Sequence, residues 1–203
     1  VRTGLLSGDP TADLVRQIVG TLSFGEKAKT LKQIQLAGGE LTKMANNQVM
    51  TIVRTTVNQV TNTASQTVYK ANPDVTEEYR YVATLDSRTS PVCRDLDGQI
   101  FKYNQGPVPP QHFGCRSTTV AVVNYKKYGF TPPPAGKRAS VGGAVPANTT
   151  YGKWLYGERA KGSKFKAGKE QIAALGEQKA KYFNRLSNKY GPDQALKKLI
   201  RED

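Results

Sequence analysis

The stretch from Thr84 to Val123 reads TLDSRTSPVCRDLDGQIFKYNQGPVPPQHFGCRSTTVAVV and decides how the rest of the chain is interpreted. It contains both cysteines of the chain, Cys93 and Cys115, and its single histidine, His112. Glycines and prolines punctuate the segments between them, a composition that is typical of loops. The stretch therefore predicts a small unit in which cysteine and histidine side chains hold long loops together.

Strands are predicted on both sides of these loops. Residues 78–85 alternate with the two-residue period of a strand, and residues 99–103 and 117–123 are two further strand candidates. We expect them to form a small antiparallel sheet, with the Cys/His loops clasped against it and a helix covering one face.

Two helices are predicted before the sheet. The first is short and amphipathic, capped by Asp9, with Leu14, Ile18 and Leu22 at every fourth position. The second is long, spans about residues 39–71 and ends at an Asn-Pro pair. Apolar residues recur along one side of it: Leu41, Ala45, Val49, Ile52, Val53, Val57, Val60, Ala64 and Val68. Its other side carries many Thr, Asn and Gln residues, which either hydrogen-bond to a partner or are solvated.

The part of the chain after the sheet divides into an arm and a tail. Residues 125–149 are rich in Pro and Gly, so we expect little regular structure there, either as an arm over a neighbouring subunit or as a tether. Helices are predicted near 169–188 and 192–200, separated by a Gly-Pro pair. Their expected inner faces consist of Ile172, Leu175, Phe183 and Leu186 in the first and Ala195, Leu196, Leu199 and Ile200 in the second.

These elements predict an α+β fold with four regions. A helical N-terminal region spans residues 1–72, the sheet with its Cys/His loop unit 73–123, a Pro/Gly-rich linker arm 124–149 and a basic helical tail 150–203.

Positive charge is concentrated in the second half of the chain. The net charge is +3 for residues 1–123, from 13 basic and 10 acidic side chains, and +11 for residues 124–203, from 17 and 6. Such a balance favours binding to a polyanion through counterion release, with contacts to phosphate rather than to bases. The alternatives are a solvated helix surface or an acidic protein partner. The lysines predicted to contact DNA are Lys161, Lys164, Lys166, Lys169, Lys179, Lys181, Lys197 and Lys198.

Membrane insertion and secretion are not indicated. The chain has no run of about 18 apolar residues, and its start has no signal-peptide pattern. The chain begins with Val1, which fits either a processed product or a part of something longer.

A series of short motifs carries a resemblance to a known family. The matching residues are Arg54-Thr55 in the long helix, Leu85-Asp86, Arg88-Thr89, Cys93, Leu96-Asp97-Gly98, Phe101, Pro109-Pro110, His112, Cys115-Arg116, Thr150-Tyr151, Trp154-Leu155 and Leu175-Gly176. In this pattern the chain resembles the phage Mu F-like family, the minor head or head morphogenesis proteins of tailed bacteriophages.

The resemblance implies a structural protein of the virion. It would be present in few copies inside the head, would bind the portal or the major capsid protein and packaged double-stranded DNA, and would aid head assembly and DNA packaging or ejection. No membrane or small-molecule substrate is implied. Residues that would hold the unit together are Arg54, Asp86, Arg88, Asp97, Gly98 and Arg116, besides Cys93, His112 and Cys115. Trp154 would be either a hydrophobic anchor or a contact with the portal or capsid.

Cys93, His112 and Cys115 admit three interpretations. They are a zinc site, a Cys93–Cys115 disulfide, or two buried thiols beside a core histidine. Many family members carry a further cysteine three residues before the first, which would complete four zinc ligands, but this chain has Ser90 there. A fourth ligand would then come from Asp86, Asp95, Asp97 or water.

Catalysis is not expected. One histidine cannot serve both as a metal ligand and as the general base of a metal-dependent nuclease, and aspartates beside a glycine are more often turn residues. The alternatives to a fixed head protein are an internal protein ejected with the genome and a metal-dependent nuclease or delivered toxin.

Overall fold

The structure, a computed structural model, describes residues 39–134, 136–158 and 167–201. Its elements in chain order are α1 Gly39–Lys70, β1 Thr76–Val82, α2 Pro91–Leu96, β2 Ile100–Lys102, β3 Thr118–Val123, a 3₁₀ turn Tyr125–Tyr128, β4 Lys137–Ser140, β5 Gly143–Pro146, α3 Tyr151–Gly157, α4 Lys169–Leu175, α5 Glu177–Tyr190 and α6 Pro192–Arg201. Helices thus surround small antiparallel sheets, which confirms the α+β prediction. No described helix is both long and apolar enough to cross a bilayer.

The main sheet has three antiparallel strands in the order β2-β1-β3. Tyr79 of β1 pairs with Phe101 of β2 on one side and with Ala121 of β3 on the other. The three predicted strands are therefore present, but the first begins and ends earlier than the alternation suggested. Beyond its end, Leu85 forms an isolated parallel bridge with Ser140.

The long helix α1 has the predicted bounds to within one residue, but its polar side is the one that packs on the sheet. Asn62 accepts a hydrogen bond from the Thr119 N–H at 3.1 Å, and Asn58 donates to the Ser117 carbonyl at 2.8 Å. Gln66 donates to the Thr119 hydroxyl at 3.1 Å. Asn58, Asn62 and Gln66 of the polar face therefore belong to an internal contact, whereas Thr61, Thr63 and Thr67 remain exposed.

The apolar side of α1 lies opposite Asn62. Val53, for example, precedes Asn62 by nine residues, which corresponds to about 900°, or two and a half turns around the helix axis. On this side Val60 is 49% exposed and Val68 is 60% exposed, whereas Val53 is buried. The side chains of Leu41 and Ala45, and the short helix predicted near Asp9, lie outside the described residues.

The expectation of little regular structure between residues 125 and 149 is wrong for residues 137–146. Strands β4 and β5 form a hairpin in which Arg138 pairs with Val145 and Ser140 pairs with Gly143. The turn between them contains Gly142 with φ +94°, a conformation that glycine adopts without strain.

Residues 169–201 form three helices, α4, α5 and α6, where two were predicted. Gly176 has φ +76°, which is outside the helical range, so α4 ends there and a separate helix, α5, begins after it. The buried side chains in this region form one cluster with Leu85, namely Tyr151, Trp154, Leu155, Phe183, Ala195, Leu196 and Leu199. Ile172, predicted for this inner face, is 42% exposed, because the break at Gly176 turns α4 away from the direction of α5.

Candidate functional site

The structure brings Cys93, His112 and Cys115 together. Cys93 lies in α2, whose N-terminus is capped by the Ser90 hydroxyl, and the other two residues lie in the loop between β2 and β3. The Sγ atoms of the two cysteines are 3.7 Å apart, and Nε2 of His112 is 3.4 Å from Sγ of Cys93. All three ligand atoms are within 4.8 Å of one another, an arrangement that could hold a metal ion.

The imidazole of His112 is oriented for metal binding. Its Nδ1 lies 2.9 Å from the Phe113 carbonyl oxygen, which can only accept a hydrogen bond. Nδ1 therefore carries the hydrogen and donates it, so in the neutral ring Nε2 has its lone pair directed toward the sulfurs. A backbone carbonyl that fixes the tautomer in this way is common behind histidine metal ligands.

The two thiols are linked by a hydrogen bond. Their hydrogen bond raises the pKa of the Cys93 thiol and lowers the pKa of the Cys115 thiol, while burial disfavours both thiolates. The Tyr81 hydroxyl lies 3.2 Å from Sγ of Cys93, and burial raises the pKa of that tyrosine. A thiolate in this pair would therefore be stabilised by the neighbouring thiol.

These positions decide between the interpretations of the cluster. The disulfide is wrong for this structure, because both cysteines are free and a sulfur–sulfur bond is about 2.05 Å long. The thiols are buried, but His112 is exposed, so the core-histidine interpretation is also wrong. Among the described residues the cluster contains no aspartate. A small cavity of about 20 Å³ adjoins it, lined by Ser90, Cys93 and His112 among others, which is room for one water molecule.

Asp86 organises the loop that follows β1. Both its carboxylate oxygens accept hydrogen bonds from the guanidinium of Arg116, and Oδ1 also accepts from the Arg88 N–H at 3.1 Å and the Thr89 hydroxyl at 3.1 Å. Burial opposes its ionisation, but the bonds and charge of Arg116 outweigh this and lower the pKa of Asp86. The contact to the Arg88 side chain is long, at 3.9 Å. Asp86 therefore caps the local backbone, and its main ion pair is with Arg116.

Asp97 joins three separate parts of the chain. Its Oδ1 accepts from the Ala83 N–H at 2.7 Å and from Arg138 of the hairpin at 2.9 Å, and its Oδ2 accepts from the Tyr151 N–H at 2.6 Å. Gly98 beside it has φ +80°, and a Cβ there would lie 3.0 Å from the Thr150 methyl group. Only glycine fits this turn without strain.

Two of the predicted structural residues make little contact. The Arg54 side chain is exposed and has no hydrogen bond or ion pair within the part of the chain that the structure describes. The Arg88 side chain is 83% exposed. Within the described residues, the prediction that these two side chains hold the unit together is supported only by the long Arg88–Asp86 contact.

Sequence reasoning missed Arg94, a buried arginine of α2. Its guanidinium donates to the carbonyls of Ser87, Thr89 and Ala174, the last at 3.0 Å, and it lies over the Tyr151 ring. In the sequence Arg94 stands between Cys93 and Asp95. No local pattern distinguishes an arginine that binds a distant helix from one that is simply exposed.

The described lysines of the tail do not share one face. Lys179 and Lys181 are two apart on α5, about 200° around the axis, and lie on opposite sides of its buried stripe. Lys181 pairs with Glu177 at 2.8 Å, and Lys198 lies over the Tyr190 ring. Lys169 is exposed at the start of α4, and Lys197 is half-buried in α6. Lys161, Lys164 and Lys166 lie outside the described residues.

Trp154 is part of the tail core. It is 4% exposed and packs edge-on against Tyr151 at a centroid distance of 5.2 Å. The anchor interpretation accounts for this position. The prediction of a partner contact does not, because a ring this deeply buried presents almost no surface to another protein.

A family model described as Phage Mu protein F like protein matches residues 11–120, which include α1, β1, β2, the start of β3 and the Cys/His cluster. None of the curated proteins and none of the solved structures that were compared matches the chain. The family model covers more than half of the 203 residues. The chain therefore belongs to the phage Mu F-like family of bacteriophage head morphogenesis proteins.

Proposed function

We propose that this protein is a structural minor head protein of a tailed bacteriophage. It resides in few copies inside the head near the portal, binds the portal or capsid protein, and assists head assembly and DNA packaging or ejection. Family membership over residues 11–120 is the observation that carries this proposal. Binding rather than turnover is its mode of action.

The carboxylates near the cluster support a role without catalysis. Asp86 is held by Arg116, and Asp97 by Arg138 and two backbone N–H groups. Each would have to give up an arginine to hold a divalent cation or to act as a base. The single histidine is directed at the two sulfurs, which leaves no second imidazole for proton transfer.

Zinc is the metal that fits the Cys/His cluster. For Zn–S bonds of about 2.3 Å and Zn–N bonds of about 2.0–2.1 Å, tetrahedral angles give S···S of about 3.8 Å and S···N of about 3.6 Å. The 3.7 Å and 3.4 Å separations in the cluster are close to these values. Cys93, His112 and Cys115 would hold the ion, with a water molecule in the adjoining cavity as the fourth ligand. Zinc would there serve a structural purpose, tying the loop after β2 to α2.

DNA contact is the second part of the proposal and rests on charge. The +11 charge of residues 124–203 favours binding to packaged DNA through phosphate. Because the described lysines are distributed around the tail helices, contact would be non-specific and would involve several sides of the tail. Binding of a DNA duplex should weaken by about tenfold or more between 50 and 200 mM salt. An affinity that does not change with salt would count against DNA contact.

The location is tested with the virion itself. Quantitative mass spectrometry would compare purified full particles with the same particles after triggered DNA release, using the portal protein as the internal standard for copy number. Retention at a few copies per portal supports a fixed minor head protein. Loss together with the DNA would instead favour an ejected internal protein, and absence from full particles would contradict both.

A further inference from the structure

The strand β3 has a free edge. It lies at the outside of the three-stranded sheet, next to β1 alone. Within β1, Tyr81 exchanges hydrogen bonds with Gln99 and Gly98 on the β2 side, so the neighbouring Arg80 is directed toward β3 and pairs with Val120. By the alternation of antiparallel pairs, Thr119 and Ala121 then direct their backbone N–H and C=O groups away from the sheet.

The helix α1 covers only one end of this edge. Thr119 has both its outward groups engaged, since its N–H donates to Asn62 and its carbonyl accepts from the Tyr69 hydroxyl at 3.4 Å. Ala121, two residues further on, receives no such bond from the part of the chain that the structure describes. Unpaired groups on an edge strand are a template for pairing with another extended chain.

A groove runs along the same part of β3. It has a volume of about 380 Å³ and lies over the sheet face shared by Arg80 and Val82 of β1 and residues 120–123 of β3, beside the β4–β5 hairpin. Much of its lining is apolar, from Val82, Val120, Val122, Val123 and Ala147. Side chains of an added strand would find apolar surface here.

The charged side chains of the groove are all positive. Arg80, Lys137 and Arg138 line it, and no acidic residue does. Arg138 is committed to Asp97, but Arg80 and Lys137 form no ion pair within the described residues. Two cations beside an apolar strip are complementary to an acidic peptide with alternating apolar residues.

We propose that β3 accepts an extended, acidic segment of a partner protein as a fourth strand of the sheet. The peptide exchanges hydrogen bonds with the backbone of Ala121, places apolar side chains in the groove and places carboxylates beside Arg80 and Lys137. DNA fits this groove less well, because much of its lining is apolar and the free amide of Ala121 matches another peptide backbone. The inference is independent of the DNA contact proposed for the tail.

The test uses the full chain and a fluorescein-labelled octapeptide of sequence Thr-Val-Glu-Val-Asp-Val-Glu-Ser, with binding followed by fluorescence anisotropy up to about 1 mM peptide. Three comparison probes are used. The first is the same peptide with N-methyl groups on alternate residues, the second has lysine in place of the acidic residues, and the third is a short DNA duplex. We expect the acidic peptide to bind, and the N-methylated and lysine versions to bind at least about tenfold more weakly. Duplex DNA should not displace the peptide.

Substitutions in the protein test whether the peptide binds at the edge of β3. Ala121→Pro removes the outward N–H and leaves the ladder to β1 intact, so it should weaken peptide binding by about tenfold, whereas Ala121→Val should not. The double variant Arg80→Gln with Lys137→Gln should also weaken binding, and its control is Lys153→Gln with Lys189→Gln, two exposed lysines of α3 and α5.

Three results would overturn the proposal: no binding of the acidic peptide, equal binding of the N-methylated peptide, or displacement by duplex DNA. Circular dichroism checks the fold of each variant. Were Ala121→Pro unfolded, the N-methylated peptide with the unaltered protein would still decide the matter.

Discussion

Asp97 and Arg138 are 41 residues apart in the chain and form an ion pair with an Nη2–Oδ1 distance of 2.9 Å and side chains 0% and 11% exposed. The pair joins the motif after α2 to the β4–β5 hairpin. Because Asp97 also accepts the N–H at the start of α3, one carboxylate connects the sheet, the hairpin and the tail.

Removal of one partner of this pair should be strongly destabilising. In Arg138→Met the Asp97 carboxylate stays buried with less compensation, and we expect a loss of about 3–5 kcal/mol in the free energy of unfolding. Urea unfolding followed by circular dichroism measures it. The double variant Asp97→Asn with Arg138→Met should lose less than the sum of the two single losses. Additive losses would show that the pair has no coupling.

The Asp86–Arg116 pair predicts a loss of stability in acid. Since the folded-state pKa of Asp86 is lowered, its contribution is fully present above the unfolded pKa of about 3.9 and is lost as the pH falls through the folded value. Asp86→Asn should cost about 1–2 kcal/mol at neutral pH, a modest figure because Arg116 is 36% exposed, and should flatten the decline below about pH 4. Chemical unfolding of both proteins over a pH series would reveal it, and parallel acid profiles would exclude the assignment.

Ser90→Cys should strengthen metal binding. Residue 90 lines the cavity beside Cys93 and His112, so a thiolate there replaces the water as the fourth ligand. We expect zinc affinity to rise by at least about tenfold, measured by competition with a chromophoric chelator. Ser90→Ala is the matched control, because both substitutions remove the cap of α2 but only one adds a ligand. Equal affinities of the two variants would place residue 90 outside the coordination sphere.

Because α1 packs on the sheet through polar residues, truncation of a polar side chain should cost more stability than truncation of an apolar one. Asn62→Ala leaves the buried Thr119 N–H without its acceptor and should cost about 1–3 kcal/mol. Val60→Ala and Val68→Ala, at exposed positions, should change the free energy of unfolding by no more than about 0.5 kcal/mol. Thermal unfolding of the three variants compares them directly. A larger loss from Val60→Ala than from Asn62→Ala would contradict the orientation of the helix.

The sequence predicted α1, the three strands of the main sheet and the gathering of Cys93, His112 and Cys115, because each depends on local signals. The bounds of α1 follow from its length and from Asn72-Pro73, and the three ligands are close in sequence. The orientation of α1 was not predictable from its apolar period. That rule assumes an apolar partner, whereas the partner of α1 is the polar edge of β3, where Asn and Gln match unpaired backbone groups.

The β4–β5 hairpin and the break between α4 and α5 each had a local sequence signal that was not used in the prediction. Gly142-Gly143 between short alternating segments is a hairpin signal inside a stretch that otherwise has the composition of a linker. Gly176 marked the helix break between α4 and α5. The role of Arg138 had no local signal, because an ion pair across 41 residues depends on the complete fold.

The hydrogen bonds between α1 and β3 fix the helix along its axis as well as across it. A slide by one turn, about 5.4 Å, would break the bonds from Asn58, Asn62 and Gln66 together, whereas apolar side chains could exchange neighbours at little cost. We therefore expect helix and strand to shift together. A displacement of α1 along its axis would therefore also displace β3 and the free edge beside Ala121.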